Sequence, residues 1–335
     1  MTTNHQFELY EQIEDISGLP PIRNVPDQQL RHHRSRKKLI NEQKNTELYE
    51  LEEKENQFNF SYGASKHEKA WINDSLFDFY RQSWIDDIIR LIKGGGKEAS
   101  VYQCLANPSA PYEFIAAKVY RPRKFRQLRN DSLYREGRIH LDDEGHEIRD
   151  DRALHAIQKR TNFGKRLLHT SWIEHEFQTM SKLHKAGANI PEPFASGNNA
   201  ILMAYVGWED TAAPTLNSVR LDYEEARKLF DKAIENVEIM LSKNCVHGDL
   251  SAYNILYHDG EICLIDFPQA IDPLVNRNAH AIFRRDIIRL CEYFQSQGIN
   301  CEPIKLADQL WKKHRFELGP NVDLRLLEPV FVDTD

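Results

Sequence analysis

The stretch Val246-His247-Gly248-Asp249-Leu250-Ser251-Ala252-Tyr253-Asn254-Ile255-Leu256, followed by Cys263-Leu264-Ile265-Asp266-Phe267, decides how the chain reads. Transfer of a phosphoryl group asks little covalent work of a protein and much positioning. The acceptor needs a base or orienter, and the metal that rides on the phosphates needs carboxylate or amide oxygens. An aspartate in a loop, an asparagine five residues later and a second aspartate after the next strand supply these groups in order. Asp249, Asn254 and Asp266 have that spacing. Asp249 is the expected acid–base residue, and Asn254 and Asp266 are the expected metal ligands. Taken singly, each is also a common turn residue. His247 is expected to brace the loop by hydrogen bonding rather than to act as acid or base.

Towards the N-terminus, Gly94-Gly95-Gly96-Lys97-Glu98-Ala99-Ser100-Val101 fits the glycine loop G-x-G-x-x-G-x-V of kinases, except that Ala99 stands at the third glycine. Missing side chains let backbone amides approach phosphates. No G-x-x-x-x-G-K-[ST] occurs, so this is not a Walker loop. Ala116-Ala117-Lys118 places a lysine on a strand with the spacing that reaches the inner phosphates of a nucleotide. A lysine in an apolar strand is costly to bury unpaired. Glu176, beside the apolar face Ile173, Phe177 and Met180, is the favoured partner, with Glu174 as competitor. The expected nucleotide-binding set is therefore Gly94, Gly95, Gly96, Lys97, Glu98, Ser100, Val101, Lys118 and Glu176, with Met203, Tyr205 and Val206 around the end of a later strand. ATP with Mg2+ is the expected cofactor, Mn2+ being an alternative metal.

The pattern around these motifs is α+β and two-lobed. Apolar runs at 88–92, 101–106 and 114–120 read as antiparallel strands with the glycine loop at the first turn. A helix follows through Ile173, Phe177 and Met180, ending near Gly187 with Pro191 and Pro193 as stop signals, and then a strand at 200–205. The helical half opens at Asp222, which can cap a helix with Glu225 reaching back, its apolar face running through Ala226, Leu229, Phe230, Ala233, Val237 and Met240. Strands at 254–257 and 262–265 flank the turn His258-Asp259-Gly260, and Phe283, Ile287, Leu290 and Phe294 trace a further helix. The expected organisation is a polar, partly disordered arm over 1–65 and a kinase-like domain over 66–300, with a C-terminal helix and tail over 301–335. Within the domain, an N-lobe of antiparallel sheet and one main helix spans 85–205, with a charged insertion at 121–166. A reduced helical C-lobe spans 206–300.

With a formal charge of −7 over 335 residues, the chain has no overall basic field to draw it onto nucleic acid or an anionic membrane. Basic contacts must be local. Arg31, Arg34, Arg36, Lys37 and Lys38 in the arm, and Arg121, Arg123, Lys124, Arg126 and Arg129 in the insertion, are the candidates for contact with RNA or a ribosome-associated partner, against the default of a solvated face. No window is apolar over the roughly 18 residues that span a bilayer, and the N-terminus lacks a signal-peptide layout. A cytoplasmic protein without a membrane partner is expected. Cys104, Cys245, Cys263, Cys291 and Cys301 never form a C-x-x-C pair and are expected to pack as small apolar residues.

The motifs together resemble the RIO kinase family, an atypical group of serine/threonine protein kinases. Gly96-Lys97-Glu98-Ala99-Ser100-Val101-Tyr102 is similar to the RIO signature G-K-E-A-x-V-Y. His247-Gly248-Asp249-Leu250-Ser251 with Tyr253-Asn254 resembles the RIO catalytic loop, and Ile265-Asp266-Phe267-Pro268-Gln269 the metal-binding loop. The insertion looks like that of the first RIO subfamily, whereas Phe267-Pro268-Gln269 is closer to the second. The resemblance implies an ATP-dependent serine/threonine kinase or ATPase switch, passing the γ-phosphate of Mg-ATP to protein (itself), to a transient phospho-aspartate at Asp266, or to water. Phe267 is followed by proline, no A-P-E occurs, and the stretch after Asp266 is short for a peptide-docking platform. Slow autophosphorylation or hydrolysis is thus expected over peptide phosphorylation, with the protein acceptor unknown. The alternatives are a small-molecule phosphotransferase of the aminoglycoside or choline kinase type, which shares H-x-D-x-x-x-x-N, and a nucleotide-binding scaffold that contacts RNA.

Overall fold

The computed structural model describes residues 58–93, 99–121, 134, 136–197 and 199–317. Helix α1 (Lys66–Arg81) starts where the Ser65 side chain accepts the Glu68 N–H, and it buries Ile72, Leu76 and Phe79 along one stripe. Packing begins earlier than the sequence suggests. Phe58 is buried against the Tyr80 ring at 4.5 Å, and the Tyr62 N–H donates to Ile88 O. Residues 58–65, expected to belong to the polar arm, therefore pack with the folded domain, and aromatic anchors scattered among polar residues leave no periodicity to read.

Five strands form one antiparallel sheet in the order β1-β2-β3-β5-β4: β1 (Ile85–Lys93), β2 (Ala99–Ala106), β3 (Phe114–Tyr120), β4 (Pro193–Ser196) and β5 (Ala200–Ala204). Side chains alternate across it. Tyr102, Cys104, Ile115, Ala117, Val119 and Leu202 pack with α1, leaving Val101, Ala116, Lys118 and Met203 on the opposite face. Pro193 opens the edge strand β4, a position where a missing N–H costs no ladder bond.

Part of the charged insertion expected at 121–166 is helical. Helix α2 (Asp151–Gln158) is capped by Asp150, and α3 (Asn162–Lys185) is capped by Thr161, well ahead of Ile173. Gly164 lets the two helices meet, since a Cβ there would lie 2.0 Å from Ala156 O. The first turns of α3 are polar, so periodicity alone starts the helix too late.

The second lobe opens with a small hairpin, β6 (Gly207–Trp208) and β7 (Thr211–Ala212). Helix α4 (Tyr223–Ser242) is capped by Asp222 and buries Ala226, Leu229, Phe230, Ala233, Val237 and Met240. A 3-10 turn (Ala252–Asn254) leads into the hairpin β8 (Ile255–His258) and β9 (Glu261–Leu264), so Asn254 precedes the strand rather than opening it. The turn holds Asp259 and Gly260 at φ of 49° and 76°, the left-handed pair that matches strand twist. Helices α5 (Ala279–Ser296) and α6 (Pro303–Lys313) close the lobe, with Phe283 and Trp311 rings 5.3 Å apart. The apolar core of this lobe extends to Ala116 and Met203 on the lower face of the sheet. The cleft between the lobes therefore has one apolar wall already built. Among the described residues, no helix is long and apolar enough to cross a membrane.

Candidate active site

Lys118 projects from the centre of the sheet into this cleft, its side chain only 10% exposed. Its ammonium donates to Glu176 Oε1 at 2.6 Å and to Asp266 Oδ1 at 2.5 Å. Glu176 is buried on α3, one turn from Ile173 and from Met180, and it also accepts the Tyr120 hydroxyl at 2.6 Å and the Phe267 N–H at 3.3 Å. Three donors satisfy the hydrogen-bonding capacity of that buried carboxylate. The competitor Glu174 faces away, accepting the Ser196 hydroxyl at 2.8 Å, and burial raises its carboxyl above the usual range. Burial also works against the Lys118 charge, but Asp266 and Glu176 outweigh it and hold the ammonium above the ordinary lysine range. For Asp266, burial pushes up while Lys118, Lys93 and His247 pull down, and the carboxyl ends below its usual value.

The loop carrying Asp249 is held along its length. Val246 and Ile271 exchange both backbone hydrogen bonds at 2.9 Å. Gly248 sits at φ 84°, and a Cβ there would meet Gln269 O at 2.2 Å, so only glycine fits. The Asp249 N–H donates to His247 Nδ1 at 3.3 Å, and His247 Nε2 faces Ile265 O at 3.2 Å. Its ring lies 4.7 Å from that of Phe267. The buried Asn254 donates through Nδ2 to Asp249 O at 2.8 Å and to Asp249 Oδ2 at 3.1 Å, while Asn254 O accepts the Ile265 N–H. That last bond sets Asp266 beside the loop. Asp266 adopts φ 75°, a left-handed conformation sparsely populated by non-glycine residues.

Asn254 Oδ1 and Asp266 Oδ2 take no hydrogen bond from the described residues. Among those residues, no three His, Cys, Asp or Glu side chains converge as a metal cage. Magnesium is usually held by one or two carboxylates together with substrate phosphates and water, so this oxygen pair is the kind of donor set it uses.

Val101 pairs with Lys118 across β2 and β3, and packs with Tyr205 against the helical-lobe core. Met203 is buried opposite Ala116, Tyr205 donates its hydroxyl to Trp208 O, and Val206 O accepts the Ala213 N–H. Ser100 differs from the expectation. It lies on the face of Tyr102, within hydrogen-bonding reach of that hydroxyl, so its side chain points into the N-lobe core and away from the cleft. Gly94, Gly95, Gly96, Lys97 and Glu98 lie outside the described residues, between Lys93 and Ala99.

Several residues around the site escape sequence reasoning. Arg138, from the insertion, donates to Pro268 O at 3.0 Å and Ala270 O at 2.8 Å. On α5, Asp286 accepts the Gly248 N–H at 2.8 Å, and Arg285 donates to Gly248 O and to the Tyr134 hydroxyl. Burial raises the Asp286 carboxyl above the usual range despite the opposing Arg285 charge. The available signal is Arg285-Asp286-x-x-Arg289, charged residues set among the buried apolar positions Ile282, Phe283, Ile287 and Leu290 of the helix.

With this geometry in view, comparison with known proteins is informative. The family model described as the RIO domain matches residues 132–306. This chain belongs to the RIO domain family. Within that family, it is 30% identical over 209 residues to the RIO-type serine/threonine-protein kinase Rio1 of Haloferax volcanii. The match covers 62% of this chain and 63% of the relative, so the chain spans less than two thirds of that protein's length. A RIO-type serine/threonine-protein kinase Rio1 of Thermoplasma acidophilum is 31% identical over 142 residues, covering 42% of this chain and 73% of its own. In fold, the RIO chain is similar to the crystal structure of the Rio2 kinase from Chaetomium thermophilum, with a TM-score of 0.53 and 17% identity over 85% of this chain and 80% of that one. The architecture is thus the two-lobed, protein-kinase-like RIO fold.

Proposed function

We propose that the chain is an ATP-dependent RIO-type serine/threonine kinase or ATPase switch. The observation that carries this reading is the Lys118 ammonium held between Glu176 and Asp266, with Asp249 and Asn254 hydrogen-bonded to each other on the neighbouring loop. The residues at 66–300 form the catalytic unit, the N-lobe over 85–205 and the C-lobe over 206–300. The helix within 301–335 braces α5.

Val101, Met203, Tyr205 and Val206 wall the nucleotide, and Gly94, Gly95, Gly96, Lys97 and Glu98 are the candidates for contact with its phosphates. Lys118 binds the inner phosphates, and Glu176 keeps it aimed. Asn254 and Asp266 would hold magnesium, which would supply charge neutralisation on the phosphates. Asp249 orients an acceptor hydroxyl and takes its proton as the oxygen–phosphorus bond forms. In the aspartyl route, an Asp266 oxygen attacks the γ-phosphorus, the bond to ADP breaks with the electron pair leaving on ADP, and water later releases phosphate. The acceptor is the chain itself or a partner protein, and the basic clusters of the arm and insertion are the candidates for RNA or ribosome contact. Free cysteines scattered through the fold suit a reducing, cytoplasmic setting.

The test is incubation of the full chain with γ-labelled ATP and magnesium, following label into protein, free phosphate or an added substrate. Label in protein or phosphate supports the reading. Transfer to an aminoglycoside or choline in its place rejects it.

A further inference from the structure

One face of α5 grips the Asp249 loop at three successive points. Arg285, Asp286 and Arg289 fall at i, i+1 and i+4, which places Arg285 and Arg289 one above the other on the helix surface. Arg285 donates to Gly248 O, and Asp286 accepts the Gly248 N–H at 2.8 Å. Arg289 reaches one residue further, donating from Nη1 to Asp249 Oδ1 at 2.9 Å. The first two contacts fix backbone, whereas the third fixes the side chain that faces the acceptor.

Asp249 needs such a hold. Its side chain is 38% exposed, and among the described residues its other oxygen accepts only from the Asn254 amide at 3.1 Å. Among the described residues, Arg289 is the sole donor to Oδ1. We propose that Arg289 is a positioning residue for Asp249, fixing the carboxylate in the orientation that receives the acceptor hydroxyl. A carboxylate oxygen has two lone-pair sites, so Oδ1 can accept from Arg289 and from an incoming hydroxyl together. The pair is partly exposed, with Arg289 at 26%, and ion pairs of that kind add little to stability. Arg289 therefore acts on turnover rather than on folding.

This inference rests on the phosphotransfer reading, and the experiment separates the two. MgATP turnover and MgATP affinity are measured for the full chain as wild type, Arg289→Ala, Arg289→Lys and Asp249→Asn, and for the double variant Asp249→Asn with Arg289→Ala. Arg289→Ala is expected to lower kcat by about tenfold to a hundredfold, the cost of a misplaced catalytic group, with nucleotide affinity and melting temperature nearly unchanged. Arg289→Lys keeps a charged donor and recovers most of the loss. In the Asp249→Asn background, removing Arg289 costs nothing further, because groups that act as a unit are not additive. Wild-type kcat in Arg289→Ala, or the same fold-loss in both backgrounds, overturns the role of Arg289 while leaving the phosphotransfer reading intact. Failure of the wild type to turn over ATP overturns that reading, and the inference falls with it.

Discussion

Asp266 Oδ1 lies 2.5 Å from Lys118 Nζ, although 148 positions separate the two residues in the chain. The contact ties the sheet of one lobe to the segment that follows β9 in the other. Glu176 completes it from α3, so one ammonium answers two carboxylates. Removing Lys118 leaves both carboxylates without their shared partner, which is more damaging than losing the whole set together.

MgATP should raise the melting temperature of the wild type by about 5–10 °C at a hundred times its Kd, since a ligand that binds only the folded state adds roughly 2.7 kcal/mol there. Lys118→Ala and Asp266→Ala should each shrink this shift. Differential scanning fluorimetry with and without nucleotide checks it, and an unmoved wild type would remove the nucleotide site.

Asp249→Ala should reduce turnover by roughly a hundredfold or more, the usual contribution of a positioned acid–base group. Nucleotide affinity should survive, because Asp249 contacts the loop and Arg289 rather than Lys118. Equal loss of binding and turnover would assign Asp249 a structural role.

An acyl phosphate on Asp266 is labile to hydroxylamine, unlike phosphoserine. Labelled protein trapped during turnover should lose its label on hydroxylamine treatment, and Asp266→Ala should take up none by this route. Label that survives and maps to serine would leave ordinary autophosphorylation instead.

Gly248→Ala should destabilise the fold by more than about 1–2 kcal/mol, the cost of a left-handed L-residue. The added Cβ also drives against Gln269 O, which is backbone and cannot swing aside. Urea denaturation of the variant checks this, and a change within about 0.5 kcal/mol would contradict the loop geometry.

Three pH windows should separate. Asp266 is held below its ordinary 3.8, so its contribution is complete above that value and fades only as pH falls further. Lys118 is raised above 10.5, so its contribution is lost only in strong alkali. His175 is different. Burial, helped by Arg138 and Lys182, lowers it from 6.5 to about 3, and its Nδ1 has no partner among the described residues. The folded state thus resists a proton that the unfolded chain accepts below pH 6.5, and stability drains as pH falls from there towards 3. Between pH 7 and 4.5 the wild type should lose roughly 2 kcal/mol more than His175→Gln. Parallel stability curves for the two would assign the acid limb to other groups.

The amino-acid sequence by itself determined whatever depends on neighbours in the chain. The Asp222 cap, the apolar stripe of α4, the β8–β9 turn and the Asp249–Asn254–Asp266 spacing are all local, and each follows from backbone geometry over a few residues. Even the choice of Glu176 was foreshadowed, since helical spacing sets it one turn from both Ile173 and Met180. The tertiary structure alone decided what meets across long separations. Strand alternation puts Ser100 and Val101 on opposite faces, but only packing against α1 decides that Ser100 is the one turned from the cleft. The polar opening of α3, the anchor Phe58, and the arginines Arg138, Arg285 and Arg289 carry no periodic signal of their roles. Their meaning arises when the chain closes on itself, bringing a charged stripe of α5 against a loop some forty residues earlier. Periodicity reports which face of an element is buried, and it is silent on which distant group that face will meet.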